Sequence, residues 1–132
     1  MKTLMALKNR KGFTLVEVIV VLVILAILAA ILVPTMTGYI DKANEKVVVS
    51  EARAVLMALQ VEASDAYNGN KTATTLADTA ITKAATMAEV AAGSITEVTV
   101  SGGKVTGFTY TGATYKFEMT GSNFAGAKIT KK

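Results

Sequence analysis

The sequence predicts an α+β protein: one long N-terminal helix, its first half transmembrane, packs by its second half on a small antiparallel β-sheet. Three observations predict this fold. Residues 13–33 form a strongly apolar run, and residues 40–67 form an amphipathic stretch. Over residues 95–132 the apolar period changes from three or four residues to two, as expected where a helix gives way to strands.

The apolar run is long enough to cross a membrane. Residues 18–33 are all Val, Ile, Leu or Ala, and the one strongly polar side chain between positions 13 and 33 is Glu17. As a helix, residues 13–33 extend about 30 Å, which matches the hydrocarbon core of a bilayer. We assign residues 13–39 to the span and its exit, where Tyr39 suits an interfacial anchor.

The basic character of the chain comes from its first twelve residues. Four of the fourteen Lys and Arg lie there with no acidic residue, so the remaining chain holds ten basic and ten acidic residues. A basic cluster before a span is typical of the cytoplasmic flank, which places residues 35 onward outside the membrane. No direct nucleic-acid binding is expected, because the rest of the chain has no basic excess.

The composition excludes several kinds of chemistry. The chain has no Cys and no His, which removes thiol catalysis, His-assisted nucleophiles and the usual zinc sites. No carboxylate pair shows the spacing of a metal site or an acid–base site. We therefore expect no enzyme activity, no catalytic residue, no metal and no cofactor, and an outer domain that folds without disulfides.

Residues 40–67 are expected to continue the helix beyond the membrane. Apolar residues recur there at steps of three and four and mark one buried stripe. Its members are Val48, Ala52, Val55, Leu56, Leu59, Ala63 and Ala66. Asn68-Gly69-Asn70 reads as the helix stop, with Gly69 suited to a left-handed cap.

Residues 68–94 form a connecting region rich in Ala and Thr. A helix start is indicated at residues 75–78 and a short helix over residues 81–92. Asn70-Lys-Thr72 is a glycosylation sequon, which we interpret as a plain loop because such triplets are frequent by chance.

Residues 95–132 carry the strands of the predicted sheet. Residues 96–100, 105–110 and 115–120 alternate, residues 127–130 suit an edge strand, and Ser101-Gly-Gly-Lys104 predicts a tight hairpin. The aromatic residues are interpreted as sheet core and the C-terminal lysines as a solvated tail. These two sets are Phe108, Tyr110, Tyr115 and Phe117, and Lys128, Lys131 and Lys132.

Three interpretations of the N-terminus compete. A secretory signal peptide needs small residues spaced A-x-A after the apolar run, and no two alanines of residues 20–45 are two apart. An ordinary membrane anchor explains the length and the basic flank but gives Glu17 no purpose, although a carboxylate near the edge of a span can reach the headgroups. The third interpretation is a processing and assembly signal, which explains every part of the segment.

The heptapeptide KGFTLVE, residues 11–17, followed by the apolar run, resembles the N-terminal signal of type IV prepilins and their pseudopilin relatives. The resemblance covers residues 11–39 and implies a type IV pilin-like fold. It implies that residues 1–12 are a leader that a prepilin peptidase removes after Gly12. It also implies N-methylation of the new N-terminus, Phe13, and a role in assembly for Glu17.

The chemistry of these residues fits the implied roles. Gly12 has no Cβ, so a protease can approach the backbone closely. Cleavage leaves an ammonium on Phe13 one helical turn before Glu17, and a carboxylate in the first turn suits the helix dipole. The residues leave open whether this pair forms within one chain or between neighbours; the resemblance implies neighbours.

The resemblance also implies the partners and the location. They are other copies of the chain joined through their N-terminal helices, the prepilin peptidase and the pilus assembly machinery. The membrane holds the subunit before assembly, as a single-pass protein with its C-terminus outside, and the surface pilus holds it afterwards. Pro34, at the end of the span, predicts a kink or local melting, helped by Gly38.

The leading interpretation is therefore a structural pilin of a surface fibre (fimbrium) for adhesion or motility. The alternative is a pseudopilin of a DNA-uptake or type II secretion apparatus. Major secretion pseudopilins tend to hold calcium with acidic residues in C-terminal loops, and residues 120–132 contain no acid. A membrane-tethered binding domain that does not polymerise is a third possibility, in which the cleavage motif and Glu17 have no role.

Overall fold

A computed structural model describes residues 12–132 of the chain. The helices are α1, Leu15–Gly69, and α2, Asp78–Met87. The strands are β1, Ile95–Ser101, β2, Lys104–Thr111, β3, Tyr115–Met119, and β4, Lys128–Lys131. The chain divides into two compact units, the first ending at Ile40 and the second, here called the head, spanning Asp41–Lys132. The predicted α+β class, with a long apolar N-terminal helix and a small antiparallel sheet, is confirmed.

The apolar part of α1 is long and apolar enough to cross a membrane, and none of it is buried within the described residues. The helix runs through Pro34 without a break, so the local melting predicted there does not occur in the isolated chain. The hydroxyls of Thr35 and Thr37 donate to the carbonyls of Leu32 and Pro34, 2.7 and 2.8 Å away. Such bonds bend a helix rather than end it, and a kink at Pro34 stays a prediction.

Within the head, α1 packs on the sheet through the predicted stripe. Val48, Ala52, Val55, Leu59 and Ala63 are buried, Leu56 and Ala66 are half-buried, and Ala58 joins the buried set. Gln60 adds a polar contact to this packing. Its side-chain amide donates to the carbonyl of Gly103 at 2.7 Å and accepts from the backbone N–H of Val105 at 3.1 Å. These two bonds attach the β1–β2 hairpin to the helix.

The ends of the helices differ in detail from the prediction. Helix α1 ends at Gly69 as expected, but Gly69 is not among the glycines with positive φ, so the predicted left-handed cap is wrong. The backbone N–H of Asn70 instead donates to the carbonyl of Ala66 at 2.8 Å, which continues the helical pattern by one bond. Helix α2 exists but ends at Met87, because the chain turns at Glu89, whose φ is 57°.

The sheet has the order β1-β2-β3-β4, and every neighbouring pair is antiparallel. The hairpin after β1 closes with Ser101 paired to Lys104, and Gly102 and Gly103 have φ of 57° and 77°. A Cβ on Gly103 would lie 3.0 Å from the Tyr67 ring. Strand β1 contains an irregularity between Thr96 and Thr99, where Glu97 has φ 55°, so the simple alternation predicted for residues 96–100 is interrupted.

Strands β3 and β4 complete the head. In β3, Phe117 and Met119 are buried and Tyr115 is half-buried, as the alternation predicted. The predicted edge strand is present as β4, and the C-terminal lysines are exposed as predicted, but they are held in or beside this strand and do not form a tail, which corrects that part of the prediction. Lys128 and Lys131 belong to β4, and Lys131 pairs with Asp41 at 3.0 Å. Lys132 Nζ donates to the carbonyl of Gly112 at 3.1 Å.

The contacts of the head predict that it folds without the apolar run. A chain beginning near Thr37 loses the membrane segment but keeps the buried stripe and all four strands. We expect a soluble monomer that needs neither detergent nor disulfides, measured by size-exclusion chromatography with light scattering. Aggregation that only detergent prevents would contradict this boundary between membrane segment and head.

Candidate processing and assembly site

Helix α1 begins with a capping box that the sequence analysis did not identify. The backbone N–H of Glu17 donates to Thr14 Oγ1 at 3.2 Å, and the backbone N–H of Thr14 donates to Glu17 Oε2 at 3.0 Å. The Thr14 carbonyl accepts the first helical bond from the N–H of Val18 at 3.2 Å. The signal was present as Thr-x-x-Glu, residues 14–17, which is the sequence form of this motif.

The capping box fixes where the Glu17 carboxylate lies. One oxygen, Oε2, is held by Thr14, while Oε1 receives no hydrogen bond from residues 12–132. Phe13 and Glu17 line the same shallow groove, together with Val16, Val20 and Val21. The structure therefore brings the two predicted site residues onto one face of the first turns, with one carboxylate oxygen left to accept a further donor.

Gly12 lies in an open stretch of backbone before the helix. A Cβ placed on Gly12 would meet no atom within 4 Å among the described part of the chain, and its φ is not in the left-handed region. Phe13 is 88% exposed. Nothing in residues 12–132 therefore requires glycine at this position, and its role in processing stays a prediction. The other eleven leader residues lie outside the described part.

The remaining predicted site residues lie apart from this segment. Pro34 is inside α1, five turns beyond Glu17 by helical spacing of about 3.6 residues. Tyr39 is 74% exposed, as an interfacial anchor requires. The aromatic residues of the sheet are core, since Phe108 and Phe117 are buried and their ring centroids lie 5.8 Å apart.

Three pairs of ionisable groups in the head are in contact, of which Lys131 with Asp41 is described above. The buried Tyr110 hydroxyl donates to Glu51 Oε2 at 2.8 Å, and burial together with this carboxylate raises the pKa of Tyr110 well above its ordinary value. On the open face of β3, Lys116 and Glu118 pair at 2.9 Å; their hydrogen bond raises the pKa of the lysine and lowers that of the glutamate. Of the other two contacts, the first joins β2 to α1, and the second joins two side chains on one face of β3.

The fold and the N-terminal segment together define a class of protein. It is an α+β protein whose exposed apolar helix is compatible with membrane anchoring and whose head is a four-stranded sheet packed on the same helix. Residues 7–33 match the family model described as the prokaryotic N-terminal methylation motif. The predicted resemblance to type IV prepilins and pilin-like proteins is thereby confirmed over this segment.

One curated relative supports the same assignment. The chain is 43% identical over 54 residues to the type II secretion system core protein G of Klebsiella michiganensis. The match covers 41% of this chain and 38% of the relative, so it spans well under half of each. No solved structure matches the chain. These matches support a pilin or pseudopilin family, which is a family of structural proteins.

Proposed function

We propose that this protein is a structural pilin, a subunit that polymerises through its N-terminal helix into a type IV pilus-like surface filament for adhesion or motility. Before assembly it is a single-pass membrane protein with its head outside. A prepilin peptidase removes residues 1–12, and the new N-terminus at Phe13 is methylated. The subunit then leaves the membrane for the filament, where α1 helices of neighbouring copies pack together.

The observation that carries this proposal is the exposure of the apolar helix. The large apolar side chains of residues 18–33 are each between 44% and 63% exposed, all around the helix. An apolar surface of this extent has to be covered by lipid or by protein. In this proposal, lipid covers the apolar helix before assembly, and the helices of neighbouring copies cover it in the filament.

Glu17 has a specific role in this proposal. Cleavage after Gly12 converts the Phe13 amide into an ammonium, and the capping box holds the Glu17 carboxylate with Oε1 free of donors from residues 12–132. We propose that Oε1 accepts the Phe13 ammonium of a neighbouring subunit in the filament core. Each subunit added then neutralises one buried charge of each sign.

A pseudopilin is the second candidate, and one observation favours it: the matched relative is by name a type II secretion protein. This match is short, 54 residues, and pilins and pseudopilins share the N-terminal signal of the chain. The match therefore does not by itself separate the two candidates. The loop between β3 and β4 favours the pilin. Residues 120–132 contain no acidic side chain, and calcium sites need several oxygen ligands with carboxylates among them.

Electron microscopy of material sheared from cells that produce the protein separates the candidates. A structural pilin should give long fibres that an antibody against the head decorates along their length. A pseudopilin should give few or no fibres while the subunit stays with the cell envelope. A subunit that stays monomeric in the membrane even when it is overproduced would contradict both polymerising functions.

Processing should be visible in the mass of the mature chain. We expect a chain that begins at Phe13, lighter than the full sequence by residues 1–12 and heavier by one methyl group. Intact-mass measurement on protein purified from its native membrane or fibre tests this, with the uncut chain from cells lacking the peptidase as the control. A mature chain that begins beyond residue 20 would instead indicate a signal peptide.

A further inference from the structure

The connection after α1 contains a feature that the proposed function does not use. Asn70-Lys-Thr72 is the one Asn-x-Ser/Thr triplet of the sequence, and its middle residue is not proline. All three residues are exposed, as is Asn68 two positions earlier. The sequence by itself favoured a plain loop here, but the geometry of the side chains adds a second observation.

The side chains of the triplet are in direct contact. Asn70 Oδ1 accepts two hydrogen bonds from Thr72, one from its backbone N–H at 3.1 Å and one from its hydroxyl at 2.9 Å. The backbone around them is fixed, because the N–H of Asn70 donates to Ala66 and its carbonyl accepts from Ala73 at 3.2 Å. The Asn70 amide nitrogen, Nδ2, makes no hydrogen bond with the described residues. The turn therefore holds the backbone and Oδ1 of an exposed asparagine and leaves Nδ2 without a hydrogen bond to the described residues.

This geometry has a chemical consequence for the amide. The nitrogen of a carboxamide is a poor nucleophile, because its lone pair is delocalised into the carbonyl. When Nδ2 loses a proton, the negative charge is shared with Oδ1, and hydrogen bonds to the charged form of a group favour that form. The two donors of Thr72 thus act on the atom where the charge develops. The hydroxyl of Thr72 is therefore expected to favour reaction at Nδ2.

We propose that Asn70 is a site of N-linked glycosylation. The co-substrate would be an oligosaccharide carried on a polyprenyl diphosphate, transferred by an enzyme of the producing cell. A bond forms between Nδ2 and the first sugar carbon, the bond from that carbon to the diphosphate oxygen breaks, the lipid diphosphate leaves, and Nδ2 gives one proton to a base. The proposal rests on the proposed function in one respect, which is that the head lies outside the membrane.

The fold has room for such a group. Residues 68–72 are all exposed, and the nearest buried residue along the chain is Leu76. A glycan on Asn70 would therefore project from the end of α1 without displacing the core of the head. Asn70 also lies well beyond the apolar run in sequence, so the packing of N-terminal helices proposed for the filament does not require its surface.

Mass spectrometry of protein purified from the cells that naturally produce it tests the proposal. Trypsin cuts after Arg53 and Lys71, so peptide 54–71 contains Asn70 but not Thr72, and its one hydroxyl-bearing aliphatic side chain is Ser64. We expect this peptide to be heavier by one or more sugar residues, with fragmentation assigning the mass to Asn70. A native peptide without added mass would overturn the proposal. Sugar found on Ser64, or in peptide 72–83 alone, would overturn it also, because that linkage is to oxygen.

Matched variants test the role of Thr72. Thr72→Val keeps the shape and removes the hydroxyl, and should lose the added mass as completely as Asn70→Gln. Thr72→Ser and Asn68→Gln should keep it. Full modification of Thr72→Val would contradict the role of the hydroxyl.

The same samples separate this proposal from the proposed function. Normal fibres with a bare Asn70 would reject glycosylation and leave the filament intact. Proteases can be added to whole cells whose outer layer has been permeabilised. If they cannot reach the head, the head does not lie outside the membrane, and both proposals are rejected.

Discussion

Replacing Glu17 by Ala should leave the subunit in the membrane and abolish long fibres. The change makes the span more apolar, so insertion should be kept or improved, and cleavage after Gly12 should persist at least in part. In the filament the Phe13 ammonium would be buried without its carboxylate. Breaking a buried ion pair costs about 3–5 kcal/mol, and this cost recurs with every subunit added. Fibre yield, measured beside the amount of membrane-bound subunit, tests the expectation.

Two further variants separate the charge of Glu17 from its capping bond to Thr14. Glu17→Gln keeps an acceptor for the Thr14 N–H, since glutamine also completes a capping box, but it carries no charge and should fail like Glu17→Ala. Glu17→Asp keeps the charge with a shorter reach and should be intermediate. Normal fibres from Glu17→Gln but not from Glu17→Ala would assign the role to the helix start. Normal fibres from Glu17→Ala would reject any role in assembly.

Phe117→Ala should be the most damaging single change in the head. Phe117 is 1% exposed, and its ring centroid lies 5.8 Å from that of Phe108 and 4.9 Å from that of Phe124. Removing a buried phenylalanine side chain costs about 3–5 kcal/mol. The free energy of unfolding of small domains is about 5–15 kcal/mol. The loss should therefore be a large part of the total, measured by urea unfolding of the chain that begins near Thr37.

The matched control is Met57→Ala on the outer side of α1. Met57 is 65% exposed, and surface substitutions of this kind usually change stability by about 0.5 kcal/mol or less. If Phe117→Ala does not fold at all, Phe117→Leu keeps most of the apolar volume and should remain measurable with a smaller loss. Equal effects of Phe117→Ala and Met57→Ala would contradict the assignment of Phe117 to the core.

The head was predictable wherever one element's own sequence decides the outcome. The stripe of α1 and the alternation of β3 follow from the geometry of a single helix or strand, because burial repeats with the period of the backbone. The turn at Gly102 and Gly103 was predictable for a related reason. Both residues adopt positive φ, which glycine does without steric cost.

The N-terminal signal was predictable from a contiguous stretch, because residues 11–17 lie within residues 7–33, which match the methylation motif. The roles of Gly12, Phe13 and Glu17 in processing and assembly stay predictions. The capping box between Thr14 and Glu17 was also written in the sequence, as two residue types three positions apart. The Glu17 carboxylate thus has two properties, its charge and its capping bond to Thr14, and the charge alone does not indicate the second.

Other features were decided by tertiary structure alone. Gln60 meets Gly103 and Val105 across more than forty residues, and Lys131 meets Asp41 across ninety. The turn at Glu97 follows from the pairing of β1 with β2, and there its side chain accepts from the Thr109 hydroxyl at 2.8 Å. Local periodicity reports which face of an element is buried but not which distant groups meet there. The sequence by itself therefore determined the apolar helix, the methylation motif at its start and the order of the elements, and long-range packing determined which polar groups join them.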